Sequence, residues 1–389
     1  MTPPRRLLPE GSSAVSCTIR LVSLPTVDQL AAAHDPRPAE RRELTIVELV
    51  DAEGRSGFGE CSALTRPGYT HEWARGAFDL LKATQGRPRG GAPMAMAGVE
   101  MARLDLGLRV AGLALSQHLH TVFSNGASGT AASSPPGSVP AGVVLPLATI
   151  DDTVAAAIAW AEQGVRRLKL KIEPGRVTEP VTAVHDACPG VELHVDANGS
   201  CMASDLNELA ALAESGVTAI EQPFAPGDRK SSARLASSTS ALVLADEAAI
   251  DRATIIELVD EAAATGVVIK PGRLGGLDPA IAVHDWCHAN GVGVAAGGML
   301  ESGLGRYALA ALASLPGFTI TGDLSPARRW LADDPFADIE MVDGAISVPT
   351  TAGVAPPPDR ELLDRFTLDR ATFNWNDSDW IDSDGNDRE

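Results

Sequence analysis

Five charged residues recur at nearly constant intervals in the second half of the chain: Lys171, Asp196, Glu221, Asp246 and Lys270, separated by 25, 25, 25 and 24 residues. Each ends a short β-branched or aliphatic run. One strand with its returning helix consumes about that many residues, so every interval delivers one charge to the same rim of a parallel sheet. In a (β/α)₈ barrel that rim is where active sites are built. Carboxylates converging there could not all ionise without a cation. Three oxygen donors with no His or Cys among them favour a hard divalent ion, Mg²⁺ before Zn²⁺, with Mn²⁺ as a substitute. Singly, each acid has a plainer reading. Any of them could cap the following helix, Asp196 before Asn198-Gly199 could make only a turn, and Glu221 before Gln222-Pro223 could only end a strand. Four regular intervals outweigh that, because caps need not fall at one rim position every time.

Lys169 and Lys171 flank Leu170 in one strand, so their side chains share a face. Facing into a closed barrel, close together and near a cation, each is expected to lower the other's pKa. A neutral amine beside a metal is a candidate general base. Lys270 would approach from the opposite side. The catalytic candidates are therefore Lys171, Lys270 and Lys169, and the metal candidates Asp196, Glu221 and Asp246.

The elements that must position these residues are legible as a change of style along the chain. Residues 13–60 alternate apolar and polar side chains around a hairpin turn at Asp51-Ala52-Glu53-Gly54, and 31–41, polar with two prolines, reads as a loop. Helical periodicity follows over His71–Thr84 and over Ala95–Leu119. From Val139, short aliphatic runs alternate with alanine-rich amphipathic stretches, giving about eight strands between Gly142 and Asp323, enough to close a barrel. The expected organisation is an α+β capping domain over 1–122, a Gly/Ser/Pro loop over 123–138, and the barrel with its active site over 139–325. A C-terminal segment over 326–372 packs on cap and barrel, and an acidic, disordered tail runs over 373–389.

Composition narrows the partners. The chain has 389 residues, 44% of them apolar, and a net charge of −19. So acidic a protein repels phosphate backbones and anionic membranes, which excludes nucleic acid and membrane surfaces as expected partners. Five cysteines at long spacings form no C-x-x-C, and neither a disulfide framework nor a zinc knuckle is suggested. The start lacks the apolar stretch of a secretory signal, so the expected location is the cytoplasm. A small carboxylate substrate is the expected partner, and a homo-oligomer is compatible with the sequence.

The motifs Lys169-Leu170-Lys171, Asp196-Ala197-Asn198, Glu221-Gln222-Pro223, Asp246-Glu247 and Lys270-Pro271-Gly272-Arg273, in this order, resemble the enolase superfamily in its muconate-lactonizing subgroup. The runs Ile269–Gly276 and Gly297–Gly303 look most like the branch of o-succinylbenzoate synthases and N-acylamino acid racemases. The resemblance implies an α/β fold, a modified (β/α)₇β TIM-type barrel under an N-terminal α+β cap. It implies Mg²⁺ on Asp196, Glu221 and Asp246, and Lys171 and Lys270 on opposite faces of the substrate. It also adds Asn198, Gly298, Met299 and Leu300 as substrate-binding candidates. The implied chemistry is removal of a proton α to a carboxylate through an enediolate. In the leading form this is the dehydration that yields o-succinylbenzoate for menaquinone, with Lys171 as base and then acid. Alternatives are N-acylamino acid racemisation or a muconate cycloisomerase-type reaction.

The chain departs from that branch at Val143-Val144, at Val268 and at Ala295-Ala296, which bears on substrate rather than on metal or lysines. Aliphatic residues at the expected mouth (Val144, Leu145, Val268, Leu300) suit an apolar or cyclic substrate better than a sugar. A rival class rests on Gly291–Ala296 and Gly303–Ala308, which both fit G-x-G-x-x-A, a dinucleotide fingerprint. The first falls inside an expected strand rather than after one, which counts against a nicotinamide-binding protein.

Overall fold

The computed structural model describes residues 7–9, 13–32, 35–126 and 134–376. Residues 127–133 of the Gly/Ser/Pro loop and the tail beyond residue 376 lie outside the described residues.

Strands β1 (Ala14–Ala32), β2 (Asp35–Asp51) and β3 (Ser56–Cys61) form an antiparallel sheet. Its faces follow the period-2 alternation. Ile19, Leu21, Val47 and Leu49 pack with Phe78 and Leu81 in one core, while Val22, Leu24, Leu44 and Ile46 join the core that runs into the barrel. Gly57 and Gly59 let helix Pro93–Ala111 lie directly on β3. A Cβ on Gly59 would sit 1.9 Å from the carbonyl oxygen of Gly98.

Two local expectations fail. The described part of 31–41, residues 31–32 and 35–41, is strand rather than loop, because β1 and β2 continue as a ribbon through Leu30↔Ala39 and Ala32↔Asp35, with register shifts. Backbone pairing in such a ribbon requires no apolar alternation, which is why the pattern was silent. The single helix expected over Ala95–Leu119 is two helices, Pro93–Ala111 and Leu115–Gly126, parted at Gly112, whose φ of 68° is left-handed.

After β4 (Ser138–Pro140) come β5 (Gly142–Leu145), β6 (Arg167–Lys171), β7 (Glu192–Asp196), β8 (Val217–Glu221), β9 (Leu242–Ala245), β10 (Gly266–Ile269) and β11 (Gly293–Ala296). These last seven pair in parallel in sequence order, with a helix after each. The eighth position is filled by the segment 318–324, which makes only a bridge. Ile320 pairs with Ala295, and the Gly142 N–H donates to the Leu324 carbonyl at 3.1 Å, closing the ring onto β5. Seven β–α units and one closing segment give the expected (β/α)₇β arrangement.

Outward residues such as Leu168, Leu170, Val195, Ile220, Val243 and Val267 pack into the helices. Inside, Ala219, Leu244, Val268, Ala295 and Ile320 form a small apolar cluster, which fills one half of the barrel. Val268 therefore belongs to the interior packing rather than to the mouth. Leu145 points outward with the helix-facing core, because it stands level with Leu170 in the ladder.

Strands β12 (Met341–Val342) and β13 (Ala345–Ser347) join β4, and β14 (Thr367–Asn374) returns to pair with β1 at the cap's edge. Phe373, where a solvated tail was expected to begin, lies within β14 opposite Cys17. Trp375 beyond it is only 5% exposed, with the Arg87 guanidinium 4.7 Å from its ring. Cap and barrel are joined by side chains that cross between them. Glu60 accepts from Ser302 N–H, Ser302 Oγ and Gly305 N–H at the start of helix Gly303–Ala313. Glu100 does the same for Leu277 and Asp278, which open helix Leu277–Ala289. Arg42 ties the cap to the carbonyls of Met299 and Leu300.

Candidate active site

The regular spacing is realised as geometry. Lys171, Asp196, Glu221, Asp246 and Lys270 end or directly follow five adjacent strands, β6 to β10. In a ring of eight, β6 and β10 stand four positions apart, so the two lysines face each other across the barrel, and the three acid-bearing strands lie between them on one side. All three acids are buried.

Each acid meets a lysine. Lys171 Nζ donates to Asp196 Oδ2 at 2.6 Å and to Asn198 Oδ1 at 2.6 Å. Lys169 Nζ sits 2.8 Å from both oxygens of Glu221 and 3.3 Å from Asp196 Oδ2. Lys270 Nζ donates to Asp246 Oδ2 at 2.7 Å, and Arg273 stands 2.8 Å from Asp246 Oδ1. Local turns hold the acids. The Asn198 N–H donates to Asp196 Oδ1 with Asn198 at a φ of 46°, so the plain turn reading is also true of this residue. Gln222 accepts from the N–H groups of Asp246 and Ala248 through its side-chain oxygen, tying the end of β8 to the end of β9. Helix capping falls to other acids, Asp228 and Asp251.

Burial alone would push every one of these carboxyls up. Lys171 and Lys169 instead hold Asp196 below the usual range, and Lys270 with Arg273 does so for Asp246. Glu221 goes the other way: burial and the neighbouring Asp196, Asp323 and Asp246 outweigh Lys169 and push it up to about 8. The expectation that Lys169 is depressed by its neighbour is overturned. Burial works against its charge, but Asp323, Glu221 and Asp196 overcome burial and raise it. Lys270 is raised too, with burial again overcome, chiefly by Asp246 and then Tyr69.

The two lysines of β6 differ in access. The Lys169 side chain is 2% exposed and the Lys171 side chain 21%, so only Lys171 is offered to a bound molecule. Of the other candidates, Asn198 lies beside Lys171 and donates to Glu247. Gly298 is a close-approach position, where a Cβ would lie 2.6 Å from Arg306 Nη1. Met299 is buried against the cap core and Leu300, at a φ of 57°, gives its carbonyl to Arg42.

Three residues escaped the sequence reading. Tyr69, carried in from the cap, accepts from Lys270 at 2.7 Å and donates to Asp246 at 3.0 Å. Arg273 belongs to a motif already singled out, but its contact with Asp246 was not foreseen. Asp323, on the closing segment, binds Lys169 at 2.5 Å and Arg167 at 2.7 Å.

The donor set fits a hard divalent cation: three buried carboxylates from adjacent strands, one of them pushed towards protonation by burial and by its acidic neighbours. Among the described residues no three such side chains converge closely enough to coordinate an ion as they stand, since each is turned to a lysine. Asp246 Oδ1 is buried and accepts no hydrogen bond, its partner being the Arg273 guanidinium as an ion pair. Neither glycine motif is placed for a dinucleotide. Gly293–Ala296 lies within β11, and Gly303–Ala308 lies in the helix that follows a loop. All five cysteines are free and buried, and no helix among the described residues is long and apolar enough to cross a membrane.

Comparison with known proteins gives the same placement. Residues 152–362 match the family described as "Enolase C-terminal domain-like". The chain is 34% identical over 366 residues to the N-succinylamino acid racemase of an Amycolatopsis species, covering 89% of this chain and 95% of that protein. It is 32% identical over 346 residues to the o-succinylbenzoate synthase of Bacillus subtilis, covering 84% and 90%. A solved member of the enolase superfamily from Listeria innocua superimposes with a TM-score of 0.83 at 25% identity, over 93% of this chain and 99% of that one. With its lysines opposed across a (β/α)₇β barrel and its acids ranged between them, the chain belongs to the enolase superfamily and is an enzyme of it, similar to its o-succinylbenzoate synthases and N-succinylamino acid racemases.

Proposed function

We propose that this enzyme removes a proton α to a carboxylate, and that its reaction is the dehydration that forms o-succinylbenzoate. The observation that carries the reading is the opposition of Lys171 and Lys270 across the ring, with Asp196, Glu221 and Asp246 between them. Mg²⁺, or Mn²⁺ in its place, would be held by those three acids and would supply the positive charge that lets so weak a carbon acid ionise.

The chain's own residues do the rest. Lys171 is the base, since its amine is the accessible one on β6 and Asp196 and Asn198 orient it. After taking the α-proton it lies on the same face as a departing hydroxyl and returns the proton to it, so that water leaves. Lys270, steadied by Asp246 and Tyr69, contributes charge on the other face. Lys169 keeps the acids in place from below.

Racemisation is the second reading. It is favoured by two amines reaching opposite faces, together with the 34% identity to an N-succinylamino acid racemase. Lys171 and Lys270 would then exchange the roles of base and acid. Residence in the cytoplasm belongs to the same proposal, supported by the free thiols.

The test is incubation with Mg²⁺ in D₂O and a panel of the cyclohexadiene precursor of o-succinylbenzoate, N-succinylamino acids, muconate and dipeptides. Turnover of the precursor supports the leading reading. Exchange or racemisation confined to the N-succinylamino acids would replace it with the second. Neither turnover of the precursor nor deuterium entering any of the other compounds would remove both.

A further inference from the structure

We infer that Asp323 is a positioning residue, the counter-ion that holds Lys169 in place and so frees Glu221 and Asp196 for a divalent cation. The inference rests on the metal reading above.

The geometry is a chain of polar contacts under the rim, with Lys169, Arg167 and His194 buried and Asp323 nearly so. Asp323 Oδ2 accepts from Lys169 Nζ at 2.5 Å, and its Oδ1 accepts from Arg167 Nη1 at 2.7 Å. Arg167 and Lys169 alternate on the inward face of β6, so one carboxylate bridges two successive inward cations. Arg167 Nε in turn donates to His194 Nδ1 at 2.9 Å, which leaves the proton on Nε2, directed at Glu192 3.0 Å away. The backbone of Asp323 is fixed as well. Its N–H donates to the Ala296 carbonyl at 2.8 Å, and its carbonyl accepts from Arg306 at 2.6 Å. The carboxylate is thus presented to Lys169 by a rigid support on two sides.

Lys169 holds Glu221 through both carboxylate oxygens and lies 3.3 Å from Asp196. Those two acids can turn to a cation only by loosening their hold on the ammonium. A buried ammonium left without a carboxylate is strongly disfavoured. Asp323 is the partner that Lys169 keeps when Glu221 and Asp196 turn away. Without it, Lys169 stays on Glu221 and competes with the cation for the same oxygens. Asp323 is not needed as a ligand for this, and it acts wholly through Lys169.

The experiment is a titration of the substrate-free protein with Mn²⁺, following the free ion by electron paramagnetic resonance. The unaltered protein should bind one ion. Asp323→Asn should bind it roughly 10- to 100-fold more weakly, the usual range for removing a group that supports metal ligands. Asp323→Glu, which keeps the charge, should recover part of the loss. Adding Lys169→Met to Asp323→Asn removes the competing ammonium and should bring affinity back above that of Asp323→Asn alone. A general loss of structure would not be reversed by a second buried substitution. Equal affinities for the unaltered protein and for the Asn and Glu variants would overturn the inference. So would a double variant no tighter than Asp323→Asn. Failure of the unaltered protein to bind Mn²⁺ would instead overturn the metal reading, and this inference with it.

Discussion

Replacing Arg42 by Met should loosen the cap from the barrel. The guanidinium is buried and donates to five carbonyls: Glu43, Ser62 and Ala63 in the cap at 2.7 Å each, and Met299 and Leu300 in the barrel at 3.1 and 3.2 Å. Burial, opposed by Glu60 and Glu301, brings its pKa down to about 10, which leaves it charged at neutral pH. Methionine keeps most of the stem's volume and removes all five donors. A charged hydrogen bond contributes about 1.5–3 kcal/mol, but five sharing one group do not add. Relieving the desolvated charge offsets part of the loss. The net expectation is about 3–5 kcal/mol, a large fraction of the roughly 5–15 kcal/mol that holds a typical domain folded. Lysine should recover less than half, since one ammonium cannot reach carbonyls on both sides. Urea unfolding followed by far-UV circular dichroism and tryptophan fluorescence measures the loss. A cost below about 0.5 kcal/mol for Arg42→Met would refute the view that this side chain ties the domains together.

Other outcomes follow from the same structure. Asp196→Asn, Glu221→Gln and Asp246→Asn should each weaken Mn²⁺ binding at least tenfold with far-UV circular dichroism unchanged, on the scale of about 10–100-fold seen around metal sites; full affinity in any two would mean that the ligands lie elsewhere. Burial, opposed by the Ser302 hydroxyl, pushes the Glu60 carboxyl up to about 8, so the folded protein binds more protons than the unfolded chain between about pH 4.5 and about pH 8. Its stabilising contribution is full at the acid end of that window and is lost as pH rises through about 8. Glu60→Gln should flatten the melting temperature against pH there, and an unchanged slope would count against this reading. Trp375→Ala should cost about 3 kcal/mol, because the ring is buried beside Cys17 and Gly86, and unchanged melting would show that it adds nothing to the cap.

The part of the site that was legible in the sequence is the part that repeats. Strand-plus-helix units of nearly equal length carried Lys171 through Lys270 to one rim, and counting residues was enough to find them. The count stopped at Lys270 because the next rim position is Gly297, which carries no functional group. Glycine is required there: a Cβ would lie 2.8 Å from Lys270 Cε and 2.4 Å from Val268 Cγ1. Asp323, one unit further on, was hidden behind that silent position and an eighth strand reduced to a bridge. Tyr69 was hidden for another reason. It reaches Lys270 from the cap, about 200 residues away in sequence, and nothing local marks a tyrosine in a loop as bound for a barrel. The pKa of Lys169 was misjudged because its lysine neighbour was counted while three carboxylates around it were not. The outer end of the β1–β2 pair, where Leu30 meets Ala39 and Ala32 meets Asp35, lacked apolar alternation, and the pairing of β14 with β1 joins chain segments that are remote in sequence.

That Lys171 and Lys270 address opposite faces of one α-carbon is the centre of the proposed function. It is tested most directly by proton NMR in D₂O with Mg²⁺, following α-proton loss from each enantiomer of an N-succinylamino acid in the unaltered protein, Lys171→Ala and Lys270→Ala. Each substitution should abolish exchange from one enantiomer, a loss of at least about 10²-fold for a missing general base, and leave exchange from the other measurable. Normal exchange of both enantiomers in Lys171→Ala would contradict the claim, and the base would then have to lie elsewhere on the rim.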